Sequence, residues 1–204
     1  MRLKTIITGL ALSLAGVGAV AIPAAAQMGF SPSYLFLKAV KDSDIKTINE
    51  MLNKAGSGSV IINTTSQDNG DSALHIVTRR RDLIYLNYLL LRGADPNVAN
   101  KADITPLYMA TQMRWSEGVA LLLDRKANPN MPSVLGATAL SRAVQNYDAN
   151  AVALLLRAGA NPLKAESGSG LSARDYAARD PRAANILRMI DEAKPKPKAN
   201  YGPN

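Results

Sequence analysis

The sequence has no cysteine, one histidine, one tryptophan and two phenylalanines among its 204 residues. Without cysteine the chain is not a disulfide-stapled scaffold, so its stability must come from packing. With one histidine and no cysteine, a zinc site would need mostly carboxylates, an unusual donor set. No clustered His or Cys and no nucleotide-binding or hydrolase motif occurs, which argues against an enzyme and against any bound cofactor or metal. Acids are the minority charge, 16 against 24 basic residues, for a net +8. Beyond residue 26 no segment is long and apolar enough to span a bilayer.

What is present begins with a leader. Arg2 and Lys4 precede an uncharged apolar stretch from Ile6 to Ile22, which Pro23 breaks. Ala24-Ala25-Ala26 then supplies an A-x-A cleavage site before Gln27. This layout reads as a secretory signal peptide over 1–26, with an uncleaved anchor as the alternative. Removing Arg2 and Lys4 leaves 22 basic and 16 acidic side chains, a net +6. Export makes nucleic acid a poor target. The segment AKPKPKANYGPN (193–204) is basic and proline-rich, and reads as disordered.

Between these ends the chain repeats itself. SALHIV (72–77), TPLYMA (105–110) and TALSRA (138–143) begin 33 residues apart. Leu74, Leu107 and Leu140 keep that interval, as do Ala94, Ala127 and Ala160, and Pro96, Pro129 and Pro162. The opening Ser or Thr is a helix N-cap, and Pro106 suits a first helical position. Asp82 and Asp148 fall at the start of a second helix, near its positive dipole end. That helix ends in a leucine cluster (Leu89-Leu90, Leu121-Leu122-Leu123, Leu154-Leu155-Leu156), followed by Gly93 or Gly159 at a left-handed cap. Two degenerate copies flank these three. Residues 34–56 carry Ala39 at the alanine position. Residues 171–190 carry Ser172 and Ala177 in phase, 34 residues on rather than 33.

Thr105-Pro106-Leu107-Tyr108-Met109-Ala110, His75 and the turn Gly93-Ala94-Asp95-Pro96-Asn97 resemble the ankyrin-repeat motifs T-P-L-H-x-A and G-A-D-x-N. The resemblance covers about 34–192 and implies an all-α solenoid of about five helix–turn–helix units. Their approximate bounds are 34–66, 67–99, 100–132, 133–166 and 167–192, after a short segment 27–33. It also implies that His75 is structural, bonding to neighbouring turns, rather than catalytic or metal-ligating.

In such stacks the partner meets the hairpin tips and the exposed face of the inner helices. Carried over by register, that face comprises Arg79, Arg80, Lys101, Ile104, Gln112, Met113, Val134, Leu135, Gln145 and Asn146. Arg79-Arg80-Arg81 is otherwise a solvated helix end. Trp115 stands where Asp82 and Asp148 start their helices, and is either a ring lying over its own repeat or a partner anchor. Asp68-Asn69-Gly70-Asp71 reads as a hairpin turn, because the oxygens of a calcium loop are not placed there. Gly56-Ser57-Gly58-Ser59 and Gly168-Ser169-Gly170 read as flexible loops where the connections lengthen.

These readings converge on an exported, periplasmic or secreted protein of bacterial type. It would be a monomer that binds a protein or peptide on a concave face, without cofactor or catalysis. The alternative is an envelope-surface protein held electrostatically to anionic lipid or polysaccharide by its tail and Arg79–Arg81.

Overall fold

A computed structural model describes residues 30–54 and 58–193. The leader and the basic tail therefore lie outside the described residues, as do Gly56 and Ser57. Ten helices form five antiparallel pairs among the described residues. They are α1 (Pro32–Asp42) with α2 (Ile45–Asn53), then, after a single turn α3 (Gly58–Ile61), α4 (Ala73–Arg79) with α5 (Leu83–Leu91). Next come α6 (Pro106–Gln112) with α7 (Ser116–Asp124), α8 (Ala139–Gln145) with α9 (Ala149–Arg157), and α10 (Ala173–Arg179) with α11 (Ala184–Glu192). The inner helices pack in order, α1 on α4, α4 on α6, α6 on α8 and α8 on α10. A second layer runs α5, α7, α9, α11. The all-α repeat solenoid expected from the 33-residue period is present.

Capping explains where the helices start. Thr105 Oγ1 accepts the Tyr108 amide at 3.2 Å, Thr138 Oγ1 that of Ser141 at 3.2 Å, and Ser172 Oγ that of Asp175 at 3.2 Å. The outer helices use carboxylates: Asp44, Asp82 and Asp148 accept from Thr47, Tyr85 and Ala151 at 3.0–3.1 Å. α1 begins at Pro32 behind Ser31, a turn earlier than the register sets it, since Ser31 caps and Pro32 needs no amide partner.

Helix ends follow one rule. Ser43, Arg81, Arg114 and Tyr147 all take left-handed φ of 54–60° just past an inner helix. The next amide reaches five residues back: Asp44 to Ala39, Asp82 to Val77, Trp115 to Ala110 and Asp148 to Ala143, all at 2.9–3.0 Å. This is the Schellman arrangement, made without glycine. The outer helices repeat it at Gly93, Lys126 and Gly159.

The core lies between neighbouring units. Ala39, Val77, Ala110, Ala143 and Ala177 at the close-approach position are all buried. Of each leucine cluster one member is fully sealed, Leu89, Leu122 or Leu155, while Leu121, Leu123, Leu154 and Leu156 are partly covered. The hairpins come in two lengths. Residues 100–104 and 133–137 close in five residues, with Asn100 and Ser133 amides bonding to Ile104 and Ala137 carbonyls. Residues 66–71 and 166–171 take six, with Ser66 and Glu166 amides bonding to Asp71 and Leu171 carbonyls, which accounts for the 34-residue step. Gly168-Ser169-Gly170 thus sits in a hydrogen-bonded hairpin, and Gly168 N–H also bonds the Leu135 carbonyl at 3.0 Å.

Trp115 is 6 % exposed and caps nothing. Its ring lies over the first turn of α7, in space that Gly118 leaves free: a Cβ there would come within 2.1 Å of the ring. The ring packs on its own unit, the first of the two readings. Gly118→Ala gains at most about 1 kcal/mol of helix propensity, against about 1–3 kcal/mol of overpacking. The expected outcome is a lower melting temperature with a red-shifted emission of the sole tryptophan. An unshifted emission at equal or higher stability would place the ring elsewhere.

Candidate functional site

The inner-helix face is built by the last residues of each inner helix. Counting from the capping Ser or Thr (position 34 in the first unit), the eighth residues are Lys41, Arg79, Gln112, Gln145 and Arg179. All five are exposed, and form a row one residue per unit. Three of them, Arg79, Gln112 and Gln145, belong to the face expected from the register. No acid occupies the row.

The ninth and tenth residues behave differently, because they tie the units together. Arg80 donates to the Val40 and Lys41 carbonyls at 2.9 Å, at the end of α1. Asn146 Nδ2 donates to the Thr111 carbonyl at 3.2 Å, at the end of α6. Met113 holds the same position without a donor, and there Arg81 reaches forward from the previous unit to the Met113 carbonyl at 2.5 Å. In the last joint Tyr147 Oη donates forward to the Asp180 carboxylate at 2.5 Å. Arg80 and Asn146 are therefore committed to joints between units, whatever else they meet. The Arg80 guanidinium also lies over the Tyr85 ring at 5.6 Å.

Arg79 is half in solvent but pairs with a buried acid. Its guanidinium lies 2.6 Å from Asp71 Oδ2, and the Asp71 side chain is 3 % exposed. Asn100 of the next hairpin donates to Asp71 Oδ1 at 2.9 Å, and Asn69 to Oδ2 at 2.8 Å. Burial pushes the Asp71 carboxyl up, but the Asn100 and Arg79 hydrogen bonds outweigh it and hold the group below its usual range. The Asp68–Asp71 stretch is thus a hairpin whose last carboxylate is already satisfied.

At the tips, Lys101 Nζ donates to the Gln67 carbonyl and its amide to that of Asn69 at 3.0 Å. Ile104 is half-buried and its carbonyl is used by His75. Met113 is half-buried. The Val134 side chain lies outside the described residues. Leu135 is 69 % exposed at φ +62°, a left-handed conformation that costs a leucine about 1–2 kcal/mol. It is followed by Gly136 at φ +79°, where a Cβ would meet the Ser167 amide nitrogen at 2.6 Å.

His75 is fully buried. Its Nδ1 accepts from the Ser72 amide at 3.1 Å, so Nε2 carries the proton and donates to the Ile104 carbonyl at 2.7 Å. The side chain joins a cap in its own unit to the next hairpin, the structural role that the resemblance implied. Burial lowers its pKa below 6.5, outweighing the Ile104 bond and the Asp71 charge that raise it. Sequence reasoning missed the ties through Arg80, Arg81 and Asn146. It also missed the asparagine ladder of the turns, in which Asn63, Asn97 and Asn130 accept the amides of Asp95, Asn128 and Asn161 at 2.7–2.8 Å. The recurrence of Asn at 97 and 130 was the one available signal. Among the described residues no group of His, Cys, Asp or Glu is placed to hold a metal, and no helix is long and apolar enough to cross a membrane.

Two comparisons with known proteins bear on this geometry. A family model of ankyrin repeats in three copies matches residues 35–133 and 74–166. The nuclear factor NF-kappa-B p110 subunit of Drosophila melanogaster is 38 % identical over 52 residues, 26 % of this chain. The match spans 5 % of that relative's length.

The buried neutral imidazole predicts a pH dependence. Its folded pKa lies below the unfolded 6.5, so its contribution is complete above pH 6.5 and is lost as pH falls from there through the folded pKa. Urea unfolding at pH 7.5, 6.5 and 5.5 should show stability constant in the upper interval. It should then fall by up to about 1.4 kcal/mol per pH unit in the lower one. His75→Gln should be less stable at pH 7.5 and flat between 6.5 and 5.5. A wild-type curve flat across that interval would show the imidazole to be accessible to protons in the fold.

Proposed function

The chain belongs to the ankyrin-repeat family, and from that premise we propose that it is a non-catalytic binding protein of the cell envelope. Ankyrin repeats mediate protein–protein interaction. The partner would be a protein or peptide lying along the inner-helix face of a monomeric stack, concave in this family. The observation that carries this reading is the unbroken exposed row Lys41, Arg79, Gln112, Gln145 and Arg179. Joint-forming contacts occupy the ninth and tenth residues, so the eighth is left to face solvent in every unit. Leu135 adds an exposed apolar side chain held at a strained hairpin tip, a cost that a partner's contact would offset.

Export by the leader, from a bacterial host into periplasm or medium, belongs to the same proposal. The electrostatic alternative draws less support, because Arg79, Arg80 and Arg81 are engaged with Asp71 and with backbone carbonyls. Their charge is not idle.

A photo-crosslinking side chain placed at Gln112, on the inner row, and at Asn150, exposed on α9, separates the faces. In the native host the Gln112 variant should yield a discrete protein adduct and the Asn150 variant none; the opposite pattern would move the binding surface to the outer helices. Intact mass of the exported protein should correspond to a chain beginning at Gln27. A mass that retains residues 1–26 would make the leader an anchor.

A further inference from the structure

The repeat rule breaks once, in the last unit. After α4, α6 and α8 the tenth residue is left-handed and closes the helix end. After α10 the tenth residue is Pro181, which has no N–H and whose ring fixes a negative φ. The Schellman closure is therefore impossible there. Asp180 instead adopts extended φ/ψ of −117°/112°, and Pro181–Ala183 form a 3-10 turn before α11. The displaced chain leaves a cleft of about 380 Å³ between the ends of α8 and α10. Val144, Tyr147, Tyr176, Pro181 and Ala183 supply the apolar part of its wall; Gln145, Arg179 and Asp180, whose carboxylate is already held by Tyr147 and Arg182, complete the lining.

The charge of Arg179 acts on Asp175 without closing an ion pair among the described residues. Asp180 is held by Tyr147 Oη at 2.5 Å and by Arg182 at 2.8 Å, with the Arg182 guanidinium 4.7 Å above the Tyr147 ring. Asp175, one turn back, is occupied with the Ser172 cap at 2.6 Å. Arg179 has no hydrogen-bonded or ion-paired partner among the described residues, and it continues a row that contains Lys41 and Arg79 and no acid.

We propose that this cleft is the anchor subsite of the inner-helix face. It receives an aromatic or branched apolar side chain of an extended partner segment, whose neighbouring carboxylate pairs with Arg179. The rest of the segment then runs along the row past Gln145 and Gln112. The proposal rests on the binding face inferred above and adds to it where the anchor sits and which chemistry it selects. Tyrosine walls suit such an anchor, offering apolar ring faces while their hydroxyls are already bonded, Tyr176 Oη to Glu166 at 2.7 Å.

A random-peptide display library selected on the wild-type protein alone supplies the probe. The recovered peptides should carry Asp or Glu close to an aromatic or branched residue. Charge reversal at Arg179 should weaken them about tenfold or more, without lowering the melting temperature. Gln145→Trp, which fills the mouth of the cleft from an exposed position, should abolish binding, and bound peptide should shift the ring resonances of Tyr147 and Tyr176. Peptides that survive Arg179→Glu but are lost on Gln112→Arg would overturn the cleft while leaving the face intact. Peptides indifferent to both substitutions would overturn the face as well. A selection that enriches no acidic peptide would also overturn the proposal.

Discussion

A helix pair of about thirty residues exposes more apolar surface than its two helices can cover for each other. Everything else in this structure answers that constraint. Leu89, Leu122 and Leu155 are sealed, and Val77, Ala110 and Ala143 are small enough for the next pair to approach. The burial is shared between neighbours, so stability is a property of joints rather than of units. A joint must also satisfy the carbonyls left over at each inner helix end. Arg80, Asn146 and, from the opposite side, Arg81 do this with side-chain donors. Their chemistry differs because the position is defined by an acceptor, and any donor of suitable reach serves.

The fold was legible because its determinants are local and recur. N-caps, leucine clusters and the turn glycines each depend on residue type at a fixed spacing, so three copies in phase identify them. The longer hairpin before the last unit was legible as arithmetic, in a step of 34 residues where the others take 33. The left-handed residues after the inner helices were not. Ser43, Tyr147 and the two arginines, Arg81 and Arg114, have no chemistry common to all four. They adopt that backbone because the five-residue return bond and the start of the capped outer helix leave no other path, and such over-determination leaves no mark on composition.

The site was legible by half, for a related reason. Arg79, Gln112 and Gln145 are exposed where the register placed them. Arg80 and Asn146 lie in the same stretch and are occupied, because their acceptors are backbone carbonyls 34–40 residues away. A carbonyl has no residue identity, so a sequence cannot show which donors it will claim. Met113, lacking a donor at the joint position and preceded one unit earlier by Arg81, was a faint signal of that exchange. The run Arg79-Arg80-Arg81 divides its three guanidiniums among a buried acid in its own unit, the previous unit and the next. A charge run that looks uniform is three separate structural devices.

A repeat array that obeys its rule everywhere presents the same surface everywhere and has little with which to tell partners apart. Discrimination requires departures, and their positions follow from what the packing tolerates. The interior units cannot lose a helix-end closure without loosening a joint on each side. Among the described residues the last unit packs on one neighbour, so Pro181 could replace a left-handed residue at the cost of a single contact, which Tyr147 and Asp180 restore through side chains. The tip of the third hairpin is a second such place, where the Leu135 side chain stands exposed while its carbonyl accepts the Gly168 amide of the next hairpin. Both departures leave the buried leucines and alanines untouched. Selectivity in this fold can therefore change without disturbing the joints that hold it together, and it is at such breaks in the repeat that a partner's chemistry is best sought.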